Sequence, residues 1–153
     1  MFPGHSLDHT SNSATFTYAD MNPESSAANT TFTGSAHVLA VHDLAASRDF
    51  YERVLGFRDL QVAAPGWCFM QRDACRLHIG ECPEAIPAGD TGDHSYYAYF
   101  YVTAAAELFS NAQAEGAEII KPLQDESWGM REFALRTPDG HRIMIGQPIN
   151  PAG

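Results

Sequence analysis

Arg76-Leu-His-Ile-Gly80 returns 66 residues later as Arg142-Ile-Met-Ile-Gly146, and two glycines placed to stop helices, Gly56 and Gly116, stand 60 residues apart. An internal duplication is the simplest cause, and it commits the chain to two similar modules packed together. In the first, the apolar run 36–41 reads as a strand and Asp43 as a helix N-cap. Leu44, Phe50, Tyr51, Val54 and Leu55 then fall on one face of a helix ended by Gly56. Residues 57–62 read as extended, and 67–71 and 75–80 as a hairpin turned at Arg72-Asp73-Ala74. The second module repeats the order: a strand over 96–102, Thr103 as N-cap, a helix through Leu108, Phe109 and Ala112, then strands at 118–121, 130–136 and 142–145. Thr137-Pro138-Asp139-Gly140 makes the last turn, since proline presets φ and glycine accepts positive φ. Each half reads β-α-β-β-β, an α+β class, with modules at about 35–83 and 94–149.

A length of 153 residues supports one core, so residues 35–149 are expected to form a single domain. Residues 1–34, rich in Ser, Thr, Asn and Ala without apolar period, read as a flexible tail whose Thr-Phe-Thr-Tyr run at 15–18 is the part suited to a sheet edge. The formal charge is −10. Removing the tail, which holds Asp8, Asp20 and Glu24 and no base, leaves sixteen acids against nine bases, or −7, so the acidity belongs to the fold. That sign argues against nucleic acid and anionic membranes as partners and concentrates cations. No apolar stretch approaches the ~20 residues of a membrane span. Cys68, Cys75 and Cys82 lack metal-ribbon spacing and read as reduced, packed thiols; no Lys or Arg precedes Arg48, so a secretory signal is not suggested and a cytoplasmic location is expected.

Asp43-Leu-Ala-Ala-Ser47, Phe50-Tyr51, Leu55-Gly56-Phe57 and Pro138-Asp139-Gly140, in that order over 35–149, resemble the glyoxalase I, bleomycin-resistance and extradiol-dioxygenase superfamily, also called vicinal oxygen chelate. Gly66-Trp67 with Gln71-Arg72, and Trp128-Gly129-Met130, look most like the drug-sequestering bleomycin-resistance branch. The resemblance implies paired βαβββ modules forming an open, curled mixed sheet around a cavity, and a homodimer that completes or shares it.

Metal-dependent relatives place four ligands, mostly His and Glu, on four strands facing the cavity. The resemblance puts those positions at Ala36, Arg76, Tyr97 and Met144, none of which suits a hard divalent ion. His37 is one residue from the first position, which turns it to the opposite face, so a packed histidine is expected there. His78 shares the face of Arg76 but lacks companions. His42, His94, His141, His5 and His9 read as solvent-exposed. A metal-free cavity without cofactor is expected.

Strand alternation extends the same faces to Tyr97, Tyr99 and Tyr101, to Arg76 and His78, and to Arg142 and Met144, an aromatic box with two cations. Trp67 and Trp128 add flat walls or pack as core, with both readings open. The charge of the domain favours a cationic guest such as a glycopeptide antibiotic; Arg76 and Arg142, unless paired with an acid such as Glu132, favour a carboxylate, phosphate or phenolate. The leading expectation is a non-enzymatic protein that binds a glycopeptide or flat aromatic molecule. The alternative is a lyase, isomerase or dioxygenase of the same fold, with displaced ligands or with His78 and a cavity tyrosine moving protons.

Overall fold

The computed structural model describes residues 33–149, with the side chains of residues 93 and 94 left aside; the tail, its 15–18 run and His5 and His9 lie outside the described residues, as does the side chain of His94. The elements are β1 His37–Val41, α1 Leu44–Arg53, β2 Arg58–Asp59, β3 Trp67–Arg72, β4 Cys75–Glu81, a kinked 3-10 segment Ala88–Ser95, β5 Tyr96–Tyr101, α2 Ala105–Ala114, β6 Glu118–Glu126, β7 Met130–Arg136 and β8 Arg142–Pro148. They form two four-stranded mixed sheets, ordered β1-β4-β3-β2 and β5-β8-β7-β6. In each, the first strand lies parallel beside the last and the remaining pairs are antiparallel. The duplication is thus a duplication of topology. No helix among the described residues is long and apolar enough to cross a membrane.

Local chemistry explains the first module closely. The Asp43 carboxylate accepts from the Ala46 N–H at 2.8 Å, which satisfies one of the free amides of α1. Phe50, Tyr51, Val54 and Leu55 are buried, each contributing roughly 1.5–3 kcal/mol of transfer free energy. Gly56, at φ 63°, then takes the left-handed turn that stops the helix. The second helix departs from expectation. Its N-cap is Ala104, without a side-chain cap, and not Thr103. The missing acceptor comes from the closing strand, where Gln147 Oε1 takes the Ala105 N–H at 3.0 Å. The extended segment expected over 57–62 is a strand only at Arg58–Asp59, with one further bond from the Leu60 N–H to the Phe69 carbonyl at 2.8 Å, whereas β6 runs five residues past its expected end at Lys121, to Glu126.

One core joins the modules. Leu39, Val41, Met70, Leu77 and Ile79 of the first sheet meet Phe100, Phe133, Leu135, Ile143 and Ile145 of the second, with α1 and α2 between strands and solvent contributing Tyr51 and Ala112. Asn111 Nδ2 donates to the carbonyls of Arg53 and Val54 at 3.1 and 2.9 Å, satisfying orphan acceptors at the end of α1. The thiol of Cys68 is buried and that of Cys82 exposed; all three cysteines are free. Burial pushes the Cys68 thiol up to about 11.

Candidate functional site

The side of each sheet that turns away from this core carries the side chains of interest. On the first sheet, Leu77 and Ile79 point into the core, so Arg76, His78 and Gly80 point out. Their cross-strand partners on β3 are Gln71, Phe69 and Trp67. The Trp67 indole stacks on Phe69 (6.2 Å between centroids, 21° between planes), and Phe69 meets the His78 ring edge-on at 4.8 Å. Trp67 remains 44% exposed and Val38, on the neighbouring strand, 66%. This is an open apolar face with a histidine and an arginine on it.

The second sheet presents Met144 and Arg142 from β8 and Tyr99 and Tyr101 from β5, the two phenol rings 4.7 Å apart. Tyr97 does not join them. A bulge at this residue lets Tyr96 pair with Arg142 and Ala98 with Ile143, so the strand carries one extra residue and the alternation slips. The Tyr97 ring turns inward, where its hydroxyl bonds that of Tyr51 at 2.7 Å and its edge meets Phe100 and His37. Burial lifts its phenol well above the ordinary range. Tyr96 takes the vacated place on the outer face, under the Arg142 guanidinium at 5.3 Å from the ring.

Glu132, from β7, anchors this second face. Its Oε1 accepts from the Tyr99 hydroxyl at 2.7 Å and the Trp128 indole N–H at 3.1 Å, and its Oε2 from Lys121 Nζ at 2.8 Å. Lys121 also pairs with Glu126 at 2.6 Å and lies 5.8 Å from the Trp128 ring centre. Burial alone would raise the Glu132 carboxyl, but the bonds from Lys121, Tyr99 and Trp128 outweigh it and hold the group below the ordinary glutamate range. Burial and the bond to Glu132 raise the Tyr99 phenol. Glu132 therefore pairs with Lys121, not with either arginine of the expected box.

The expected set is accordingly divided. Trp67, Arg76 and His78 share the first face; Tyr99, Tyr101, Trp128, Arg142 and Met144 share the second; Tyr97 belongs to the core. Two histidines expected to be exposed, His42 and His141, also need correction. His42 is bonded on both ring nitrogens, to Asp139 Oδ1 at 2.9 Å and to the Ala85 carbonyl at 2.8 Å, and His141 packs edge-on against Tyr97 at 5.6 Å. His37 is a packed ring, against Tyr97 and Phe100. Sequence reading missed Tyr96, Lys121 and Phe69.

The donors at the family's metal positions do not fit a divalent ion. Ala36 has no donor, Arg76 is a cation, Tyr97 faces the core and Met144 offers a thioether. Among the described residues, no three of His, Cys, Asp and Glu stand close enough together to hold one.

Solved structures share this architecture. TioX from Micromonospora sp. ML1 is 28% identical, with 76% of this chain and all of that one covered at a TM-score of 0.61. A bleomycin-binding protein in complex with bleomycin is 21% identical, covering 78% of this chain and all of its own at a TM-score of 0.60. A glyoxalase/bleomycin resistance protein/dioxygenase from Nocardioides is 19% identical over 82% of this chain and 89% of that one, with a TM-score of 0.62. No curated protein matches the chain. A family model matches residues 34–145, and the chain belongs to the Glyoxalase/Bleomycin resistance protein/Dioxygenase superfamily.

Proposed function

We propose that this protein is a metal-free binder that sequesters a flat or glycopeptide-like small molecule against its outward aromatic sheet faces, in the cytoplasm and as a homodimer whose second copy helps enclose the guest. The observation that carries the reading is the filling of the four family ligand positions by Ala36, Arg76, Tyr97 and Met144, while rings populate both faces. Trp67 and Trp128, 44% and 63% exposed, are large apolar surfaces of the kind that mark a binding region. The bleomycin-binding neighbour lends a first ligand to try. Proton-transfer chemistry finds less support: the His78 ring is packed on Phe69, and the hydroxyl of Tyr99 is committed to Glu132.

The test is a fluorescence titration with metal-free bleomycin beside elemental analysis of protein purified without chelator. Saturable quenching of tryptophan emission, together with protection of cells expressing the protein, is the expected result. Stoichiometric iron, manganese, nickel or zinc, or turnover of an oxygen-bearing substrate that metal removal abolishes, overturns it.

A further inference from the structure

A carboxylate withdrawn from water must be given donors, and Glu132, only 5% exposed, draws two of its three from aromatic side chains. A lysine alone would have answered the charge. Sharing Oε1 between a phenol and an indole does something else: it selects one orientation for each ring. Trp128 sits on the β6–β7 hairpin and is largely exposed, a setting in which an indole ordinarily exchanges rotamers; its N–H bond to a buried acceptor removes that freedom before any guest arrives. Tyr99 reaches the same oxygen by lying across β8 over Gly146, where a Cβ would overlap its hydroxyl. Tyr101 extends the surface from there.

The electrostatics follow the same lines. A ring whose O–H or N–H donates to an anion gains electron density, which favours cations at its face. Glu126 and Glu132 against Lys121 leave one negative charge beside the rings, while Arg142 is engaged with Tyr96, four residues along β8 from Gly146. Resting on the binding function proposed above, we infer that Glu132 is the positioning residue of the second face: its carboxylate sets the Tyr99 phenol and the Trp128 indole as one preorganised platform, and the platform takes a flat cationic ring.

Two probes of similar shape and opposite charge test this, N-methylacridinium and anthracene-9-carboxylate, titrated calorimetrically into the full chain. The wild type is expected to prefer the cation. Glu132→Gln should weaken acridinium binding about tenfold and leave the carboxylate within about threefold, the span of a lost cation–π contact. Tyr99→Phe, which keeps the ring and drops a single bond, carries the test if Glu132→Gln does not fold; about threefold is expected. In a Trp67→Phe background, where emission comes from Trp128 alone, acrylamide quenching should rise in Glu132→Gln. Unchanged quenching and unchanged acridinium affinity in the folded variants overturn the positioning role. A wild type that binds neither probe while bleomycin still quenches its tryptophan emission overturns the ligand class alone, absence of both responses overturns the binding function as well, and the quenching arm in either case decides the role of Glu132.

Discussion

Gly80 and Gly146 occupy the same place in the two closing strands, and each lies beneath a ring, but the rings arrive by different routes. Opposite Gly80 in the register stands Trp67, whose indole covers the glycine directly, so that an added Cβ would meet three ring carbons at 3.1–3.2 Å. Opposite Gly146 stands Glu132, which has no ring; it draws Tyr99 across the glycine from the other neighbouring strand. The duplicated backbone provides a vacancy over a glycine twice. The residue opposite decides whether a stacked indole fills it, held by dispersion and free to shift, or a hydrogen-bonded phenol, held by a buried carboxylate.

That difference predicts unequal responses to the same small change. Gly146→Ala has the largest expected effect: the new Cβ evicts the Tyr99 hydroxyl and leaves Glu132 short of a donor in a buried setting, a loss of about 2–4 kcal/mol read by urea unfolding. A loss below about 0.5 kcal/mol would show that the phenol is not held as described. Next in size is a pair that tests the bulge. Tyr97→Phe strands the buried Tyr51 hydroxyl and should remove about 1–2 kcal/mol of stability while leaving bleomycin quenching curves alone. Tyr99→Phe takes one of its three donors from the buried Glu132, so it should weaken binding as well as remove about 1–2 kcal/mol of stability. The opposite pattern in binding would put Tyr97 back on the outer face.

The module junctions differ as well. His42, the residue before the cap of α1, corresponds to Thr103, the residue before the cap of α2, and Asp139 to Asp73, each in the turn before a closing strand. At one junction His42 closes on Asp139 through its backbone N–H (2.7 Å) and its ring; at the other, Thr103 and Asp73 line an open pocket of about 260 Å³. Both ring nitrogens of His42 face acceptors, a geometry suited to the imidazolium. The hydrogen bond to Asp139, then that to the Ala85 carbonyl, with smaller help from the charge of Glu84, raises its pKa above the ordinary 6.5. A raised folded pKa gives stability that is complete below the unfolded value and is lost as pH rises through the folded one. His141, lowered chiefly by burial, contributes in the opposite sense, its stabilisation fading as pH falls. His42→Thr gives the closed junction the residue of the open one. The wild type should then exceed the variant in Tm most at about pH 6, the gap narrowing toward about pH 8.5. A gap independent of pH would mean that the contact works without the proton.

Topology was legible because it depends on local punctuation: Asp43, Gly56, Gly116 and the Pro-Asp-Gly turn all act within a few residues of themselves, and all hold in the structure. The composition of the outer faces was legible only as far as strict alternation ran. Nothing in Tyr96-Tyr97-Ala98 marks which residue will be the extra one, because the bulge is settled by the core contact with Tyr51, 46 residues away. Glu132 was visible as an acid across the sheet, but its partner depended on β6 continuing past its apolar stretch to bring Lys121 and Glu126 alongside. The cap of α2 was hidden for the same reason, since Gln147 lies 42 residues from the amide it satisfies.

The smallest effect is expected where the two glycines were first compared. Gly80→Ala places a methyl against the Trp67 indole, a side chain 44% exposed with Phe69 as a loosely stacked neighbour and no polar partner to lose. The ring needs to lift by only a few tenths of an ångström, and alanine removes some of the backbone freedom that glycine gives the unfolded chain. Net stability should stay within about 0.5 kcal/mol of wild type by urea unfolding. Trp67 emission should shift in the free protein as the ring moves, in the same sample that shows no change in midpoint. If Gly80→Ala instead destabilises as much as Gly146→Ala, the indole is held as tightly as the phenol, and the division between a stacked face and a hydrogen-bonded one fails.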